Sequence, residues 1–72
     1  MARRYTQHEL IRAYINDFGA ITPIEAFQML GVTKLATRIS EMRADGEKII
    51  GTIQTAKNRY GKTVRYMKYT ME

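Results

Sequence analysis

At Gly46 the chain changes its hydrophobic period. Before it, apolar residues recur every three or four positions; after it come two runs rich in β-branched residues with no helical stripe. A chain that switches once, from helical to extended patterning, is restricted to an α+β layout with its helices first. With 72 residues there is room for one domain, and a domain of this size buries only roughly 60% of its unfolded surface.

The helical part divides into three. Thr6-Gln7-His8-Glu9 has the spacing of a capping box, with Tyr5 and Leu10 at the positions of a hydrophobic staple. Leu10, Ile11, Tyr14, Ile15 and Phe18 then recur at helical spacing until Gly19. Ala20-Ile21-Thr22 reads as a short extended piece, because a residue before proline avoids helical geometry. Thr22-Pro23-Ile24-Glu25 supplies the next N-cap, with proline at the first helical position. Ile24, Phe27 and Leu30 mark the expected buried face of this helix of about two turns, which Gly31 ends. Thr33 is the expected cap of a third helix, with Leu35, Ile39 and Met42 as its apolar stripe, Ala36 beside it and Gly46 as the stop.

Lys48–Thr55 and Thr63–Met71 read as strands. Asn58-Arg59-Tyr60-Gly61 between them suits a type I turn, so the two form a β-hairpin. From Lys48 onward, Lys48, Lys57, Arg59, Lys62, Arg65 and Lys68 face Glu72 alone, and this third of the chain therefore holds the whole net charge of +5. Charge spread for solubility would not segregate in this way. The balance favours an anionic partner.

Composition excludes several classes. Without cysteine there is no disulfide framework, thiolate zinc site or cysteine nucleophile. One histidine builds no multi-histidine metal centre, and no cofactor motif is present. His8 is expected to be exposed and without a role, and Asp17, Glu41, Asp45 and Glu47 form no convincing carboxylate pair, so no catalysis is expected. Met29, Met42, Met67 and Met71 fall on expected core faces. No apolar run approaches the roughly 18 residues of a membrane helix. The polar start is unlike a signal peptide, and a cytoplasmic location without membrane attachment is the expectation.

Two short helices joined through Leu30-Gly31-Val32-Thr33 match the helix-turn-helix arrangement. A preceding helix and a following basic hairpin complete the order of a winged helix. Ile21-Thr22-Pro23-Ile24-Glu25-Ala26-Phe27, Leu30-Gly31-Val32-Thr33, Leu35-Ala36-Thr37-Arg38-Ile39 and Lys57-Asn58-Arg59-Tyr60-Gly61-Lys62 resemble small winged helix-turn-helix proteins of bacteriophages and prophages. The resemblance spans about residues 6 to 71. It implies three helices followed by a two-stranded hairpin wing, and double-stranded DNA as partner. The chain departs from the family pattern at Ser40-Glu41-Met42 and Glu47, where a bulkier apolar residue and an aromatic are expected. A basic N-terminal arm over 1–5 and a winged domain over 6–72 follow.

In such a protein the third helix enters the major groove and its outward residues meet base edges. Those residues are Thr33, Lys34, Thr37, Arg38 and Glu41. Arg38 suits a bidentate contact to guanine, Thr37 a thymine methyl or a phosphate, and Lys34 a phosphate; the alternative is an ordinary solvated face. In the hairpin, Lys57, Arg59 and Lys62 are placed to touch phosphates or the minor groove, with Tyr60 on a sugar or phosphate or simply a turn aromatic. Arg65 and Lys68 lie on opposite faces of their strand by parity, and Lys68 also suits an edge-strand role against aggregation. Arg3 and Arg4 suit a weakly attracted terminal arm. Within DNA binding, a transcriptional regulator and an excisionase-like recombination factor stay open. A winged-helix module that binds and modulates a host or phage protein is the alternative from another class. Single-stranded nucleic acid is disfavoured, since no stacking platform of exposed aromatics is evident. A monomer or weak homodimer is expected, any dimer using helix 1 or a strand edge.

Overall fold

The computed structural model describes residues 5–72; Arg3 and Arg4 of the proposed arm lie outside them. Helix α1 spans Gln7–Phe18. Thr6 Oγ1 accepts from the Glu9 amide, and the Glu9 carboxylate accepts from the Thr6 amide. Both halves of the capping box are therefore made, and two otherwise orphaned amides are satisfied. Helix α2 (Pro23–Glu25) starts on a second complete capping box from Thr22 and runs directly into a π-helical stretch, Ala26–Leu30. Helix α3 spans Leu35–Ala44, and strands β1 (Ile49–Lys57) and β2 (Thr63–Met71) pair antiparallel from Ile49↔Met71 to Lys57↔Thr63.

The expected extended piece forms one isolated antiparallel bridge, Ile21↔Tyr69, with both of its hydrogen bonds at 2.9 Å. It ties the α1–α2 link to the edge of β2. The core lies under this junction. Ile11 and Ile15 of α1, Ile21, Ala26, Val32, then Leu35, Ile39 and Met42 of α3 close over Ile49 and Tyr69 at the root of the hairpin. Arg43 locks α3 to that root, donating through Nε and Nη2 to the Ile49 carbonyl at 3.1 and 2.9 Å.

The buried face of the second helix is Thr22, Ala26 and, in part, Leu30, whereas Ile24 and Phe27 are exposed. Positions 22, 26 and 30 make an i, i+4, i+8 row, which the wide π-helical turn keeps on one side; of the expected face only Leu30 shares it, and Ile24 and Phe27 do not. Phe18, at the last turn of α1, and Met29 are also exposed, as is Ala36. Thr33 is not the cap of α3: Lys34 occupies that position and no side chain caps the helix. The first strand starts one residue later and runs two residues further than expected.

Only the root of the hairpin packs on the body. Strands of 9 residues reach roughly 30 Å, and the distal half projects from the helices. The radius of gyration, 13.2 Å, exceeds the about 11 Å of a compact chain of this length, as a projecting wing requires. At its tip Asn58 organises the loop. Its carbonyl accepts from the Gly61 amide at 3.0 Å, and its side-chain Oδ1 accepts from the Tyr60 and Lys62 amides at 2.9 and 3.1 Å. Gly61 has φ +78°, the left-handed position that closes a three-residue hairpin loop and that a side chain would strain.

Candidate nucleic-acid interface

Two groups of residues present themselves, one on α3 and one on the wing. On α3, Leu35, Ile39 and Met42 face the core, so Lys34, Thr37, Arg38 and Glu41 fall on the outer side at i, i+3, i+4 and i+7. Lys34, Thr37 and Glu41 are exposed and Arg38 is half-buried. Thr33 is exposed in the turn just before the helix.

The arginines of the helical part divide by what they hold. Arg12 of α1 makes a bidentate pair with Glu47, Nε and Nη2 each 2.7 Å from a carboxylate oxygen. Arg43 gives its donors to the Ile49 carbonyl, with its guanidinium 6.0 Å from the centre of the Tyr69 ring. Arg38 makes only a 3.4 Å contact to Glu41 Oε2. Its Nε is buried and has no hydrogen-bond partner. A guanidinium carries five N–H donors, so Arg38 is the helical arginine whose donors the fold leaves largely unused.

Glu41 is shared. Its Oε1 lies 2.8 Å from His8 Nε2 of α1 and its Oε2 takes the Arg38 contact. His8 is thus half-buried and tied to the edge of this face, whereas the sequence led us to expect it exposed and without a role. The link crosses 33 residues of sequence, and neither residue's spacing announces it. Glu47 had a visible signal: it departs from the apolar pattern that the resemblance implies. That carboxylate accepts the Arg12 fork, which holds it below the usual carboxylate range and outweighs the opposing effect of burial, while Arg12 is raised in return.

On the wing, Lys57, Arg59, Tyr60 and Lys62 are all exposed, Tyr60 at 82%. Arg65 shares a sheet face with Lys57 and lies on the face opposite Lys68, as parity requires. None of these cations has an ion-pair partner among the described residues. The structure brings Arg38 and Glu41 together with His8. Among the described residues no hydrogen bond or ion pair joins this cluster to the wing group, so the two are separate points of contact on one framework.

Three helices with a helix-turn-helix, followed by an antiparallel hairpin carrying unpaired cations, define a winged helix. The chain matches the winged helix-turn-helix domain family over residues 6–72 and belongs to it. Domains of this family are generally DNA-binding rather than catalytic. A comparison with curated proteins returned no significant match. Among the described residues no helix is long and apolar enough to cross a membrane, and no group of three or more His, Cys, Asp or Glu is placed to hold a metal ion.

Proposed function

We propose that the chain is a sequence-specific double-stranded DNA-binding protein of phage or mobile-element type, acting in the cytoplasm as a transcriptional regulator or an excisionase-like factor. The observation that carries this reading is the division of the cations. Arg12 and Arg43 spend their donors inside the fold, whereas Arg38 and the wing residues Lys57, Arg59 and Lys62 do not. Donors left open on the outer side of α3 and at the tip of a wing suit base edges in the major groove and phosphates beside it.

In this reading α3 lies in the major groove. Arg38 takes guanine through its terminal nitrogens, and Glu41, itself held by His8, sets the direction of that guanidinium. Thr37 meets a thymine methyl or a phosphate, and Thr33 and Lys34 meet the backbone where the helix enters. Lys57, Arg59 and Lys62 hold the flanking backbone, with Tyr60 against a sugar or phosphate.

Selection from random duplexes, with and without Arg38→Ala, tests the proposal. The expected result is a recovered motif that loses one base position in the variant. Absence of duplex binding at low salt overturns the proposal and favours a protein partner. Several phased sites with bent DNA would identify the recombination role, and one site overlapping a promoter the regulatory role.

A further inference from the structure

Phe18, Ile24 and Phe27 stand at core spacings in the sequence, yet the isolated chain leaves them 69%, 63% and 60% exposed. They are not scattered. Phe18 and Ile24 line one open groove together with Tyr66, and Glu25 and Lys68 stand in the same groove. Phe27 follows Ile24 by one helical turn, and Val64, 42% exposed, shares the sheet face of Tyr66.

We propose that this face is a homodimer interface, covered by a second copy of the chain about a two-fold axis. The first support is its rigidity. The Phe18 ring packs 4.7 Å from that of Tyr14, and the Tyr14 hydroxyl donates to Glu25 Oε2 at 3.2 Å. Glu25 Oε1 in turn accepts from the Thr22 amide at 3.0 Å. A surface held by successive contacts loses little freedom when it is covered.

The second support is charge. The groove carries one acid and one base, and Lys68 has no ion-pair partner among the described residues. A strongly charged partner has nothing to match there. In an isologous contact each Lys68 meets the Glu25 edge of the other copy, so the surface is complementary to itself.

The third support is area. Phe18, Phe27 and Tyr66 at their observed exposures present about 340 Å², taking ~200 Å² per aromatic side chain. With Ile24 and Val64 each copy offers about 500 Å², and two copies reach about 1,000 Å², the lower bound of a specific interface. The dimer is therefore a weak one.

Its position leaves α3 uncovered. Tyr66 and Lys68 lie on the hairpin face opposite Tyr69, against whose ring Arg43 of α3 rests, and no residue of α3 lines the groove.

Sedimentation equilibrium of the full chain without DNA, from about 10 μM to about 1 mM, tests the proposal independently of the DNA-binding reading. The expected result is an average mass rising with concentration from 8.4 kDa towards twice that value. Phe18→Ser should weaken the dimer by about tenfold or more and Lys68→Glu by a smaller factor, both with unchanged circular dichroism, since both side chains are exposed. A chain that stays at monomer mass throughout overturns the proposal. So does a dimer that Phe18→Ser leaves intact, which would place the interface elsewhere. A monomeric chain that instead captures a different protein through Phe18 and Ile24 also overturns it.

Discussion

Arg12 and Arg38 are the same residue type on neighbouring helices, and the fold treats them in opposite ways. Arg12 is bound at both ends of its fork, so Arg12→Ala should act on stability. Arg12 is exposed and Glu47 half-buried, and solvent screening at the arginine limits the loss to about 1 kcal/mol; the DNA motif should survive. Arg38→Ala should leave the melting temperature nearly unchanged and cost about 1–3 kcal/mol of discrimination at one base. Melting curves read beside competition binding separate the two. The Arg12–Glu47 pair also has a pH signature. The Glu47 carboxyl is lowered in the fold, so its contribution is complete above its unfolded value and is lost as pH falls through the lowered one. Urea midpoints at pH 7 and pH 3 should therefore differ less for Glu47→Gln than for the parent. Little of this was legible in the sequence. Arg38 could be placed on the outer side of α3 from the spacing of Leu35, Ile39 and Met42. The partners of Arg12 and His8 lie 35 and 33 residues away, and periodicity carries no information about such pairs.

At the scale of elements the caps carried most of the information. Thr6 and Thr22 with Glu9 and Glu25 fixed two helix starts, and Asn58 with Gly61 fixed the wing turn, because each is a local hydrogen-bonding pattern closed within a few residues. The inward side of the second helix was not legible. Over nine residues, 24-27-30 and 22-26-30 are both acceptable helical rows, and residue size favours the first. The second is buried because proline and the Thr22 box fix the start, and the π-helical turn aims Ala26 at the core. Substitution distinguishes the rows. Ala26 is fully buried in the core, and extra carbons overpack such a site, so Ala26→Leu should destabilise by about 1–3 kcal/mol. Thr22→Ala should cost about 1 kcal/mol through the lost cap. Phe27→Gln should stay within about 0.5 kcal/mol in a monomeric sample, because its ring is in solvent. Denaturant titrations of the three variants at low protein concentration read these values directly.

For the molecule as a whole, the distribution of charge separates folding from binding. The chain before Lys48 carries as many acids as bases, while the wing carries cations with no ion-pair partner among the described residues and projects away from the core. Nothing in the packing depends on Lys57, Arg59 or Lys62, so their joint replacement by alanine should change stability by no more than about 0.5 kcal/mol per site. Their proposed role is to displace counterions from DNA, and each phosphate so neutralised contributes about 0.9 to the slope of log affinity against log salt. The triple variant should therefore flatten that slope by about 3 while retaining the base preference set by Arg38. Loss of the motif together with the slope would mean that the wing itself reads sequence. An unchanged slope would remove the wing from the interface and leave α3 as the only contact. Fluorescence anisotropy on one selected duplex, at four or five salt concentrations, separates these cases because the wing charges can be removed without disturbing the core that positions α3.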